Sequence, residues 1–293
     1  MLQLQGSIVA LITPFNPDGS VNFGQLAELV EFHIANKTDG VVVLGTTGES
    51  ATMTDEEDDQ VCQFVIDKVN KRIPVIAGSG SNCTRSMLEK SLRFQSMGAD
   101  GLLVISPYYN KANEEGMYRH FATVADAVNI PCILYNVPGR TGCAISENVV
   151  KRLYTHENVG GIKEASGNLG YAAQIARYVS DDFRMYSGND DVIVPMMALG
   201  ASGVISVFAN AFPRESHDIV ANFLAGDLEK SRKAQLKYLE VINDLFIEVN
   251  PIPIKAAMNM MGLGAGALRL PLYEMSEGAR AKLEGALRRV NAL

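Results

Sequence analysis

Apolar positions along this chain fall into two alternating patterns. Short apolar runs rich in β-branched residues occur at residues 8–15, 40–44, 74–77, 101–106, 131–136, 159–163, 183–187 and 203–207. Each has the length and composition of a buried strand. Between them apolar residues recur at helical spacing, as in residues 28–35 and 86–97. Thr54 and Glu57 stand three apart before such a stretch, the spacing of a capping box. Strands alternating with helices predict βα units and a parallel sheet. About eight units is the count of a (β/α)8 barrel. A doubly wound open sheet is the competing fold.

One junction is repeated. Met97-Gly98-Ala99-Asp100-Gly101-Leu102 and Leu199-Gly200-Ala201-Ser202-Gly203-Val204 both read as a helix end, a terminating glycine and a strand. Such an echo fits a barrel of similar units. The strand pattern stops after Asn210. Helical patterns then cover residues 228–250, 254–261 and 276–293, with Pro251 and Pro253 breaking the first from the second. The expected organisation is a barrel over residues 1–224 and a C-terminal helical appendage over 225–293.

Composition narrows the function. Of 293 residues, 47% are hydrophobic and 20% charged, which is ordinary for a globular protein. A net charge of -7 argues against nucleic-acid and anionic-membrane surfaces. No apolar run reaches the roughly 20 residues of a membrane span. The N-terminal Met1-Leu2-Gln3-Leu4-Gln5-Gly6 has no basic leader or apolar signal core. Cys62, Cys83, Cys132 and Cys143 are scattered and form no CxxC pair. They read as reduced thiols, and a cytoplasmic location is expected. His33, His120, His156 and His217 show no metal-ligand spacing, so no metal is expected. Gly78-Ser79-Gly80 lacks the third glycine of a dinucleotide fingerprint, and Gly262-Leu263-Gly264 follows a helix, so no nucleotide cofactor is expected.

In a barrel the chemistry sits at the carboxyl ends of the strands. Those ends carry Thr13, Gly45-Thr46-Thr47-Gly48-Glu49-Ser50, Ser79, Asn82, Ser106-Pro107-Tyr108-Tyr109-Asn110, Tyr135-Asn136, Lys163 and Ser187-Gly188-Asn189-Asp190. The lysine stands out, because burial disfavours an ammonium and a lysine held partly neutral attacks ketones to form an imine. Side chains alternate along a strand, so Lys163 points into the barrel if Ile162 packs outward. Tyr135 and Leu134 divide the same way on the neighbouring strand. A lysine and a phenol side by side suit imine chemistry, with the phenol moving protons and the imine nitrogen as electron sink. Each residue also has a plainer role open to it. Tyr108 and Tyr109 are equally packing aromatics, Thr46 and Thr47 turn residues, Glu49 an ion-pair partner and Arg140 surface charge.

Four motifs taken together resemble a known family. They are Gly45-Thr46-Thr47-Gly48-Glu49, Pro107-Tyr108-Tyr109-Asn110, Tyr135-Asn136-Val137-Pro138-Gly139-Arg140-Thr141-Gly142 and Gly161-Ile162-Lys163-Glu164. Their order and spacing resemble the dihydrodipicolinate synthase / N-acetylneuraminate lyase superfamily of Schiff-base aldolases, from about Ile8 to the C-terminus. Gly-Thr-Thr-Gly-Glu and Arg140 match the synthase branch, since the lyases typically carry Gly-Ser-Thr-Gly-Glu and usually lack that arginine.

The resemblance implies condensation of pyruvate with L-aspartate 4-semialdehyde, the first committed step toward diaminopimelate and lysine. It implies that Lys163 forms the imine and that Tyr135 is the general acid/base. Thr47 would be the hydrogen-bonded relay partner of Tyr135, and Tyr109 would complete that relay from across a dimer interface. Thr46 and Thr47 would hold the pyruvate carboxylate with backbone near Gly188 and Ile205, and Arg140 would take the carboxylate of the aldehyde substrate. A dimer would be the minimum working unit, within a tetramer built as a dimer of dimers.

Lysine-inhibited members bind lysine at positions matching Ser50, Ala51, Asp55, Asp58, Asn82, Ser86 and Tyr108. Ser50, Ala51, Asn82 and Tyr108 fit that pattern, whereas Ser86 replaces a carboxylate and Asp55 replaces a frequent histidine or lysine. Weak or absent lysine inhibition is therefore expected. A pyruvate-dependent sugar-acid aldolase is the second functional reading. A catalytically silent barrel is the third, and the intact lysine–tyrosine–threonine set argues against it.

Overall fold

The computed structural model describes residues 4–293. The first three residues of the N-terminal reading lie outside that range. Eight parallel strands close on themselves in sequence order, which excludes the open sheet. They are β1 (Gly6–Ala10), β2 (Gly40–Val43), β3 (Val75–Gly78), β4 (Gly101–Ile105), β5 (Cys132–Asn136), β6 (Val159–Glu164), β7 (Arg184–Ser187) and β8 (Gly203–Ser206). The surrounding helices are α1 (Phe23–Ala35), α2 (Asp55–Val69), α3 (Thr84–Met97), α4 (Glu114–Ala125), α5 (Pro138–Thr141), α6 (Glu147–Leu153), α7 (Leu169–Ala176), α8 (Ile193–Ala198) and α9 (Pro213–Leu224). Three more follow: α10 (Leu228–Asp244), α11 (Ile252–Met260) and α12 (Glu277–Arg289).

Alternation along the strands sorts side chains into two buried layers. Ile8, Ala10, Val42, Ile76, Leu103, Ile133, Tyr135, Tyr186 and Ile205 fill the barrel lumen. Val9, Val41, Val43, Leu134 and Ile162 face outward into a continuous apolar layer under the helices. Val241, Leu245, Ile254, Leu283 and Leu287 of the C-terminal segment join that same layer.

Local signals behave as their chemistry requires. Thr54 and Glu57 form the reciprocal capping box at the start of α2. Gly98 and Gly200, the two glycines of the repeated junction, both adopt the left-handed backbone that ends a helix (φ 98 and 99).

Seven strands lie within one residue at each end of the spans expected for them. The first does not, running Gly6–Ala10 in place of residues 8–15. Past Leu11 the ladder is diverted, because the Ile12 N–H donates to Asn210 Oδ1 at 3.0 Å and Pro14 has no N–H to give. Phe15 instead bridges Val21 and Ala267 in antiparallel fashion. Helix α1 begins five residues before the expected 28–35 stretch, where the Asn22 side chain caps it by accepting from the Gln25 N–H. Helix α10 ends at Asp244, short of residue 250. The residue before a proline is pushed away from helical backbone, and Asn250 is committed to other partners.

Candidate active site

Lys163 and Tyr135 are register partners on β6 and β5. Both side chains turn into the lumen, and the Lys163 ammonium nitrogen lies 4.4 Å from the centre of the Tyr135 ring. Lys163 is only 5% exposed. Its neighbour Glu164 turns the other way, where its carboxylate accepts from Asn136 Nδ2 at 2.6 Å and from the Ser166 N–H at 2.7 Å. Burial pushes the Glu164 carboxyl above the usual carboxylate range, and those hydrogen bonds oppose the shift.

Above the pair lies a cavity of about 170 Å³ at the carboxyl ends of the strands. Thr46, Thr47, Arg140 and Gly188 line it with Lys163 and Tyr135. The two threonines sit on one 3-10 turn, Thr46–Gly48, that follows β2. The Gly48 N–H closes this turn on the Gly45 carbonyl, and the Gly48 carbonyl accepts from Thr13 Oγ1 at 2.7 Å. Arg140 stands on α5, directly after β5, and donates from Nη2 to the Asn250 carbonyl at 3.0 Å. The Gly188 N–H donates to the Glu164 carbonyl at 2.7 Å, which ties the end of β7 to β6.

Two further residues named from the resemblance do not line the cavity of their own chain. The Ile205 side chain is wholly buried in the lumen, and Val207, two residues on, lines the cavity. Tyr109, expected to act across a dimer interface, is 92% exposed, with a left-handed backbone (φ 68). Thr47 Oγ1 accepts from Asn250 Nδ2 at 3.0 Å, its hydrogen bond in this structure.

Asn250 is the residue that sequence reasoning missed. It is 5% exposed, lines the cavity and touches Thr47 with its side chain and Arg140 with its carbonyl. The available signal was its place just before Pro251, where a helix cannot run on. Asp190, also wholly buried, accepts from the Val207 and Phe208 N–H groups at 3.0 Å each and so fixes the end of β8. Burial raises its carboxyl above the ordinary range, opposed by hydrogen bonds from Ser206, Phe208 and Val207 and by the charge of Lys163.

A second cavity, of about 500 Å³, adjoins the first and shares Thr46, Tyr135 and Arg140 with it. Ser50, Ala51, Asp55, Asp58, Ser86 and Tyr108 are on its wall. Asn82 is not on that wall, but its side chain donates to the Tyr108 carbonyl at 3.1 Å. Asp58 is buried there and ion-paired with Lys90, and it accepts from Ser50 Oγ at 2.9 Å.

The geometry supports covalent capture of a ketone. A closed lumen desolvates the amine, a phenol stands beside it, and hydroxyl and guanidinium donors line the same cavity to receive anionic groups. Among the described residues no cluster of three or more His, Cys, Asp or Glu is arranged to hold a metal ion. No described helix is long and apolar enough to cross a membrane.

Comparison with known proteins agrees with this arrangement. Residues 3–290 match the model of the dihydrodipicolinate synthetase family. A 4-hydroxy-tetrahydrodipicolinate synthase of Caldicellulosiruptor bescii is 53% identical over 287 residues, covering 98% of this chain and 97% of the relative. The enzyme of the same name from Clostridium perfringens strain SM101 is 50% identical over 284 residues, or 97% of both chains. A crystal structure of dihydrodipicolinate synthase from Acinetobacter baumannii in complex with pyruvate superposes with a TM-score of 0.96 at 41% identity, over 99% of this chain and 100% of that one. The chain belongs to the dihydrodipicolinate synthetase family.

Proposed function

We propose that this chain condenses pyruvate with L-aspartate 4-semialdehyde to give 4-hydroxy-tetrahydrodipicolinate, through an imine on Lys163. The observation that carries the reading is the inward-facing Lys163–Tyr135 pair in a cavity that also holds Thr46, Thr47 and Arg140. The Lys163 amine adds to the pyruvate carbonyl carbon, and the carbinolamine loses water to form the imine. Tyr135 takes a proton from the methyl carbon, and the electrons move to the imine nitrogen. The resulting enamine carbon attacks the aldehyde carbon of the second substrate, whose oxygen takes a proton back from Tyr135. The substrate's own amino group then attacks the imine carbon, closes the ring and releases the Lys163 amine.

On this reading Thr46 and Thr47 hold the pyruvate carboxylate, aided by backbone at Gly188 and near Ile205. Arg140 receives the carboxylate of the semialdehyde, and its place at the mouth shared by both cavities supports that role. Arg140→Ala is expected to raise KM for L-aspartate 4-semialdehyde roughly ten- to hundredfold while leaving KM for pyruvate nearly unchanged, since a charge-assisted hydrogen bond is worth about 1.5–3 kcal/mol. Initial rates against each substrate in turn provide the check. Unaltered semialdehyde kinetics would show that the assigned substrate is wrong.

The exposure of Tyr109 supports its service in a neighbouring subunit's site, in a dimer and in a tetramer of two such dimers. The barrel, residues 1–224, carries the chemistry, and the helices of 225–293 brace it. A cytoplasmic location goes with a metabolic condensation of this kind.

Inhibition by lysine is expected to be weak or absent. Lys90 already places an ammonium against Asp58 and Ser50 in the second cavity, so an entering lysine meets a like charge. Ser86 supplies no carboxylate to offset it. Rates measured across a lysine titration test this, and half-inhibition below millimolar lysine would overturn it.

A further inference from the structure

We infer that Glu49 and Lys255 are a positioning pair for the reaction, holding the turn of Thr46 and Thr47 in place from behind the cavity wall. The inference rests on the reading of those threonines as pyruvate ligands. Neither Glu49 nor Lys255 lines the cavity.

The pair is fully enclosed, with side chains 0% and 1% exposed and Nζ 2.5 Å from Oε1. Such a pair is a poor source of stability, because stripping water from two charges offsets their attraction and apolar residues of similar volume pack as well. Burial lowers the Lys255 ammonium to about 8, helped by Arg269, even though Glu49 pulls the other way. What a buried pair does supply is fixed geometry, and three features show where that geometry is applied.

Glu49 ends the threonine turn. Its N–H donates to the Thr46 carbonyl at 3.2 Å, and its backbone is left-handed at φ 57, ψ 28. A residue with a side chain seldom holds that conformation unless something anchors it. The anchor, Lys255, is itself immobilised, because its ammonium donates to the Ala267 carbonyl at 2.7 Å and lies 4.4 Å from the centre of the Phe15 ring. Arg269 completes the frame, giving its backbone N–H to Glu49 Oε2 at 3.2 Å and its guanidinium to Glu57 at 2.6 and 2.7 Å.

The third feature is topological. Lys255 lies on α11, one helix start beyond Asn250, and Asn250 donates to the Thr47 hydroxyl at 3.0 Å. A single segment from outside the strand–helix repeat therefore grips the turn twice, at the hydroxyl and at the base. A shift of the base would displace the two hydroxyls that receive pyruvate, whereas Arg140 is carried by α5 and meets this segment at the Asn250 carbonyl, not at Glu49 or Lys255.

The test is the neutral double variant Glu49→Gln/Lys255→Met, which removes both charges at nearly constant volume. It is expected to melt near the wild-type temperature and, at saturating pyruvate, to yield the same borohydride-trapped adduct. KM for pyruvate should rise about tenfold, the effect of one lost hydrogen bond, and KM for the semialdehyde should stay within about twofold. Glu49→Asp, which keeps the charge and shortens the arm by one methylene, serves if the double variant does not fold, with the same selective change expected. Asp244→Asn/Lys282→Met, which removes another ion pair of the C-terminal segment, should leave both constants unaltered. Wild-type constants in the folded double variant, or an equal rise in both, would overturn the inference. An unaltered pyruvate KM in Thr46→Val would remove the underlying reading of the turn, and the inference with it.

Discussion

Lys163→Ala is expected to abolish condensation, with kcat/KM falling by roughly 10⁴-fold or more, the scale on which enzymes lose rate when their nucleophile is removed. Among the described residues Lys163 is the one lysine that lines the cavity, beside Tyr135, so no second amine is placed there to form an imine. Folding should survive, because the alanine replaces a lysine that is itself costly to bury, in a lumen otherwise filled by Ile133, Tyr186 and Ile205. The measurement is pyruvate consumption with L-aspartate 4-semialdehyde, alongside a circular dichroism spectrum. A variant that turns over at more than a few per cent of the wild-type rate would mean that Lys163 is not the nucleophile.

Tyr135→Phe has the second largest expected effect, a loss of kcat of about 10²- to 10⁴-fold, the usual contribution of a positioned general acid/base. The substitution keeps the ring that packs against the Lys163 ammonium and removes only the phenol oxygen. Imine formation should therefore continue, slowly, while proton transfer at the methyl carbon stalls. Two readouts separate these steps: the trapped pyruvate adduct should still accumulate, and exchange of the pyruvate methyl protons with deuterated solvent should drop with turnover. Full exchange in the variant would assign the proton transfer to another group.

Much of this architecture was legible because strand periodicity and strand-end chemistry are local properties. That Ile162 and Lys163 face opposite ways follows from the pleat, an apolar Ile162 packed outward then turns Lys163 inward, and the register of β5 with β6 sets Tyr135 beside it. The two left-handed glycines at 98 and 200 mark equivalent junctions for the same local reason. The misread segments were decided by partners far along the chain. Asn210 captures the Ile12 N–H from 198 positions away and ends the first strand early. Asn250 reaches Thr47 across 203 positions, and nothing near it in sequence signals that contact. Glu49 was open to reading as an ion-pair partner, but its lysine, Lys255, and the pairing of Lys90 with Asp58 are invisible to periodicity, since a lysine at helical spacing reads as a solvated face. Tyr109 lies at the opposite limit, because its expected partner site belongs to another copy of the chain.

The most direct measurement is borohydride reduction of the wild-type protein with pyruvate, followed by peptide mapping of the adduct. The reduced pyruvyl group is expected on Lys163 alone, with Lys255, Lys90 and the surface lysines unmodified. An adduct on a different lysine, or none at all under turnover conditions, would contradict imine catalysis at this site.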